Sequence, residues 1–171
     1  MDLYEALLRG EHGRGRSKHR TNAHRSGRDR EHERLFGDFE CGQCRLRVSA
    51  EPRLSGVQNR NHCPYCLWSK HVDLREAGDR LCACKGLMRP VGLALKRTKK
   101  KYAAAGARGE LLLAHQCAAC GAVSLNRVAA DDSPARLREV WEASLARRPE
   151  VGEEIELVRD AEAAWLMAVL G

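Results

Sequence analysis

Residues 60–66 read RNHCPYC. Two cysteines, Cys63 and Cys66, stand two residues apart, with His62 before the first and Pro64 after it. Such a pair is half of a metal site, a redox dithiol or an enzyme's nucleophile. Upstream, with eighteen residues between the pairs, Cys41 and Cys44 repeat the same C-x2-C spacing. Two C-x2-C pairs at that separation match the four-cysteine zinc pattern. Each pair turns two thiolates toward one point, and four thiolates close a tetrahedron around Zn²⁺. Gly42 and Pro64 suit the tight turns this needs.

A second set follows. Cys82 and Cys84 are spaced C-x-C, and Cys117 and Cys120 are C-x2-C followed by Gly121. Between them, VGLALKRT and ELLLAHQ read as two strands of a hairpin, and AVSLNRV reads as a third strand. This is the layout of a zinc ribbon, with metal at one end of a long hairpin. Cys84, Cys117 and Cys120 are three ligands. The expected fourth is Cys82, because a thiolate supplies charge. The alternative is His115, which strand alternation places on the face of Cys117. His62 is expected to bond a group near the metal or to contact a partner, and Arg60 to pair with Asp131 or Asp132 or to reach a phosphate. His71 and Asp73, in HVD, read as a structural hydrogen-bonding pair. Asn126 and Arg127 read equally as a binding patch or as partners of loop backbone.

RNHCPYCLWSKHVD, GDRLCACKGLMRP, HQCAACG and NRVAADD closely resemble the bacterial RNHCP-domain family, over about residues 36–132. The resemblance implies cysteine ligands at Cys41, Cys44, Cys63, Cys66, Cys84, Cys117 and Cys120. It also implies a histidine at His115, whereas a cysteine at position 82 is not a constant family feature. It implies a double zinc-binding fold and names no activity.

Residues 133–171 read as a helical tail. Ser133 suits an N-cap and Pro134 the first helical position. Leu137, Val140, Trp141 and Leu145 recur at helical spacing, and after RRPEVG a second helix is expected to carry Ile155, Val158, Ala161, Trp165 and Ala168. At the other end, residues 1–35 read as a flexible basic arm behind a short N-terminal helix bearing Leu3, Leu7 and Leu8. Residues 12–28 hold six basic side chains and no acid, with too little apolar surface to fold alone. The expected architecture is a small mixed α+β fold. It has a tandem zinc-ribbon-like β core at 36–132, a disordered arm before it and a helical hairpin after it.

The chain has 171 residues, with 5% aromatic and 31% charged side chains. A core that thin needs a staple. No secretory leader or membrane-length apolar run is visible, so a cytoplasmic location is expected, where paired cysteines more often bind metal than form disulfides. Catalytic zinc keeps a coordination position open. Four cysteines leave none, and a deaminase would carry its histidine and glutamate before the C-x2-C. A thioredoxin-like dithiol would need a βαβ setting. No enzyme is expected.

Net charge is +7. Residues 41–128 carry sixteen basic and five acidic side chains, whereas residues 129–171 carry five and ten. A basic body points to a polyanion. Lys96, Arg97, Lys99, Lys100 and Lys101 are followed by Tyr102, a stacking face beside a cationic loop. With Arg60 and the arm residues Arg14, Arg16, Lys18, Arg20, Arg25 and Arg28, these are the candidate RNA contacts. Zinc ribbons with such arms are similar to many ribosomal proteins, and basic segments that order on RNA are a known mode. The expected partners are therefore ribosomal RNA and ribosomal proteins, with two zinc ions per chain and no membrane or small-molecule substrate. The alternatives are an adaptor of DNA or a transcription complex, its acidic tail holding a protein, and a thiol-based redox or metal sensor.

Overall fold

A computed structural model describes residues 37–96, 109–147, 149, 151–152 and 155–171. A two-residue hairpin comes first, β1 (Phe39–Glu40) paired antiparallel with β2 (Arg47–Val48). The short helix α1 (Pro52–Ser55) follows. A four-stranded antiparallel sheet then runs in sequence order: β3 (Ser69–Lys70), β4 (Leu87–Lys96), β5 (Glu110–Cys117) and β6 (Val123–Arg127). Helix α2 (Pro134–Arg147), a 3-10 turn (Asp160–Glu162) and helix α3 (Ala163–Leu170) complete the order. The small α+β architecture expected from the sequence is what forms.

The β4–β5 hairpin is the spine. Its register runs from Met88 opposite Cys117 to Lys96 opposite Glu110. Pro90 donates no ladder bond, and the ladder shifts by one residue between Pro90 and Gly92, the kind of irregularity where a strand tolerates proline. Alternation sends Leu93 and Leu113 to one face, where they pack with Leu67, Leu137, Val140, Trp141, Val158 and Leu166. Ala94 and Leu112 face the other side with Val91, Ala114, Val151 and Leu157. Gly92 lets α2 come close: a Cβ there would lie 3.0 Å from Leu157 Cδ2 and 3.3 Å from Ser144 Cβ.

Helix α2 starts as its residues dictate. The Arg136 N–H donates to Ser133 Oγ and the Leu137 N–H to the Ser133 carbonyl. The Ser133 N–H in turn donates to the Pro64 carbonyl, tying the helix start to the RNHCP loop. The tail thus docks on the sheet.

The second tail helix is shorter than its periodicity suggested. Residues 155–158 are extended. The Leu95 N–H donates to the Glu156 carbonyl and the Val158 N–H to the Leu93 carbonyl, and Leu157 bridges Ala94. Strand β3 covers β4 only at Leu87 and Met88, so the edge at residues 93–95 carries open backbone groups that this segment satisfies. Closing an exposed edge outweighs a helical spacing there. Among the described residues no helix is long and apolar enough to cross a membrane. The arm, with Arg14, Arg16, Lys18, Arg20, Arg25 and Arg28, lies outside the described residues, as do Arg97, Lys99, Lys100, Lys101 and Tyr102.

Candidate metal centres and the buried motif

Three of the turns that carry cysteines share one backbone pattern. The N–H of the first cysteine donates to the carbonyl five residues on, and the N–H four residues on returns a bond to that cysteine's carbonyl. The pairs are Cys41 with Leu46 and Arg45, Cys63 with Trp68 and Leu67, and Cys117 with Ala122 and Gly121. The residue after the second cysteine is left-handed in each: Arg45 (φ 65°), Leu67 (φ 61°) and Gly121 (φ 75°). Such a turn aims two sulfurs and its own N–H groups at one point.

The first two turns converge. Cys41, Cys44, Cys63 and Cys66 place their sulfurs within 4.8 Å of one another, as the sequence spacing anticipated. Cys41 Sγ lies 3.5 Å from Cys66 Sγ, and Cys44 Sγ 3.6 Å from Cys63 Sγ. Disulfide sulfurs bond at about 2.05 Å. Four sulfurs each about 2.3 Å from one tetrahedral ion lie about 3.8 Å apart, so the separations suit a shared ion. A bond from the Cys66 thiol, helped by the Cys66 and Tyr65 N–H groups, lowers the Cys63 pKa to about 5 against the effect of burial. The same bond, with burial, pushes the Cys66 thiol up, so without an ion the pair holds one thiolate, at Cys63, and a metal would have to displace the other proton.

The second cluster is His71, Cys84, Cys117 and Cys120. Cys84 Sγ sits 3.7 Å from Cys117 Sγ, and Cys120 Sγ 3.3 Å from His71 Nδ1. Burial opposes ionisation of Cys117, yet bonds from the Cys120 and Ala119 N–H groups bring its pKa to about 6. The His71 N–H donates to the Gly86 carbonyl and the Lys85 N–H to the His71 carbonyl, so the strand pairing runs on past β3 and brings His71 beside the turn that carries Cys84. Gly86 leaves the room they need. A Cβ there would stand 2.9 Å from Cys117 Sγ and 3.3 Å from Cys84 Sγ.

Both expected candidates for the fourth ligand are thereby corrected. Cys82 is buried outside the cluster, its N–H bonded to the Val72 carbonyl. His115 is fully buried and both ring nitrogens are spent: Nε2 donates to the Leu67 carbonyl at 2.6 Å and Nδ1 accepts from Asn126 Nδ2 at 2.8 Å. Burial, then the neighbouring His62, lowers its pKa to about 3, so it stays neutral. Alternation did put His115 on the face of Cys117. However, its ring is turned into the core, bonded to Leu67 and Asn126, and does not reach the cysteine cluster. His71 was visible in HVD, but its place depends on the β3–β4 pairing. Asp73, its expected partner, instead accepts from the Gly78 and Arg80 N–H groups.

Arg60 is corrected as an RNA contact. Its side chain is fully buried, with Nη1 2.8 Å from Asp131 and Nη2 3.3 Å from Asp132. This is the acid pairing the sequence allowed. His62 Nε2 donates to Asp132, 2.9 Å from each carboxylate oxygen, and the Ala129 N–H donates to Oδ2 at 2.7 Å. Arg60 and His62 thus fasten the turn that presents Cys63 to the loop after β6.

A family model for the RNHCP domain matches residues 36–138. The chain belongs to the RNHCP domain family. The match ends inside α2, and within it lie both donor clusters and the Arg60–Asp132 clamp that gives the family pentapeptide its structural role here. No curated protein and no solved structure matches the chain.

Proposed function

We propose that this RNHCP protein is a zinc-stabilised, non-catalytic module that binds structured RNA, on the ribosome. The observation that carries the reading is the disposition of charge. Between residues 41 and 128, ten of the eleven basic side chains that are described are exposed, and Arg60 alone is buried. Arg53, Lys70, Arg75, Lys85, Arg89 and Lys96 have no carboxylate partner among the described residues. A small sheet pinned by metal and coated with unpaired cations is suited to phosphates. Its two donor sets, of four cysteines and of three cysteines with a histidine, would each fill a zinc tetrahedron and leave no place for a reacting water. That supports a structural role over catalysis.

The test is binding to ribosomes and to ribosomal RNA at several salt concentrations. Affinity is expected to fall steeply with salt. Replacing Lys99, Lys100 and Lys101 with alanine should flatten the log–log slope by about 2 and leave metal content unchanged. Removing residues 1–32 should flatten it again. If the parent binds no RNA, or both variants match its affinity and slope, the reading fails and the acidic segment after residue 129 becomes the place to look for a partner.

A further inference from the structure

Beside the second metal centre lies a cleft of about 430 Å³, with Asn61, Lys70, His71, Asp73, Ser124 and Asn126 on its walls. That volume falls in the range of small-molecule sites, about 300–1,000 Å³. Asn61 carries the first unusual feature. Its Oδ1 is buried with no hydrogen-bond partner among the described residues, and a buried polar atom left that way calls for an N–H from outside.

Asn126 carries the second. Because His115 Nε2 donates to the Leu67 carbonyl, Nδ1 is the unprotonated nitrogen and must accept. The Asn126 NH₂ therefore faces His115, and the amide is held with its oxygen as the acceptor end. Two amide groups, Asn61 and Asn126, thus line one cleft, each with a defined acceptor.

The rim disfavours a bare anion. Lys70 and Arg75 line it, but so do Asp73 and Glu76, and the charges balance. Leu74 and Leu125, both exposed, and Ile155 supply apolar surface at the same cleft. Amide acceptors between apolar walls suit a planar, neutral group that donates N–H.

We infer that the cleft takes one unstacked nucleobase bearing an exocyclic amino group, accepted by Asn61 Oδ1 and the Asn126 oxygen, with its faces against Leu74 and Ile155. This rests on the RNA reading above and deepens it: the exposed cations supply affinity, and the cleft selects the base. Because His71 belongs to both the cleft and the second donor cluster, metal at that centre fixes one wall.

The experiment is a titration of the metal-loaded, ¹⁵N-labelled full chain with adenosine, cytidine and uridine monophosphates, followed by side-chain amide resonances, and with single-stranded RNA. Adenosine or cytidine monophosphate should shift the Asn61 and Asn126 NH₂ signals with at least 5-fold tighter binding than uridine monophosphate. Uracil has no exocyclic amino group and offers a single N–H, at N3, between two carbonyl oxygens that oppose these acceptors. Ala77→Trp, at the exposed rim, should abolish the shifts with metal content unchanged, and Asn61→Ala should narrow the preference among the three nucleotides. No shift with any nucleotide, or equal binding of all three by the parent, overturns the inference. If the cleft stays silent while RNA binds with a steep salt dependence, the cleft assignment falls and the RNA reading stands. If the nucleotides bind as expected while RNA does not, the reverse holds.

Discussion

Asp132→Asn tests what the Arg60–His62 pair does. The carboxylate is fully buried and meets the fully buried Arg60 guanidinium, the His62 ring and the Ala129 N–H at once. Arginine keeps its charge in any protein setting. The substitution preserves shape but removes the charge that neutralises Arg60 from inside, and it turns an amide N–H toward one of three donors. Asp131 remains, but its side chain is 40% exposed and neutralises less. Breaking a buried pair by removing one partner costs about 3–5 kcal/mol. With a urea slope of about 2 kcal/mol per molar, the unfolding midpoint should fall by about 1.5–2.5 M.

Asp131→Asn is the control. A pair with a solvent-exposed member is worth about 1 kcal/mol or less, so its midpoint should move by under about 0.5 M. The assay is urea unfolding of the metal-loaded chain, with metal content measured for each variant so that ion loss is not mistaken for a broken clamp. If Asp132→Asn moves the midpoint no further than Asp131→Asn, the buried clamp is not what secures the RNHCP turn.

Elemental analysis decides the ligand set: the parent should hold two ions, His71→Ala should lose one, and Cys82→Ala should keep both, whereas loss on Cys82→Ala would restore the sequence expectation. His115 predicts a pH dependence. Its folded pKa of about 3 lies below the ordinary 6.5, so its contribution is complete above pH 6.5 and is lost as pH falls from 6.5 toward 3, while the unfolded chain takes up a proton the folded one refuses. At pH 5 the loss is about 2 kcal/mol, and His115→Gln should remove that part of the slope in urea midpoints taken between pH 7 and 5 at constant metal content. Equal slopes in parent and variant would sink this account.

What the sequence disclosed follows how local each feature is. The first centre was legible because each of its turns brings two ligands within four residues, and two such turns suffice. The hairpin was legible because β4 and β5 carry short apolar runs, buried on both faces, on either side of a long basic connection. The pairing of Arg60 with Asp131 and Asp132 was one of two readings its charge allowed, the other being a phosphate contact. His71 was not found as a ligand, because nothing near it in sequence says that β3 will pair with Leu87 and Met88 and bring it beside the Cys84 turn. His115 misled because alternation fixes a face and not the partners its ring finds there, which are the Leu67 carbonyl and Asn126. Ile155 and Val158 fitted a helical spacing, but the open edge of β4 has a stronger claim on that backbone.

The geometry of the hairpin sets the size of any ligand that uses the whole domain. Met88 lies opposite Cys117 at the end of β4 that holds the second donor cluster and the cleft. Lys96, from which the run KRTKKK continues, lies opposite Glu110 at the other end. Eight strand steps separate Met88 from Lys96, about 27 Å at 3.3–3.4 Å per residue. A mononucleotide in the cleft falls short of Lys96, and a partner held at Lys96 alone has no call on Asn61. An RNA that fills both sites must extend along the spine, past the exposed Arg89 between them. Contacts to phosphate follow charge and tolerate sequence, whereas contacts to a base edge do not. The two ends of the hairpin therefore make separable demands. Variants at the lysines should change the salt slope for every RNA alike, and variants in the cleft should change which RNA is preferred at a fixed slope.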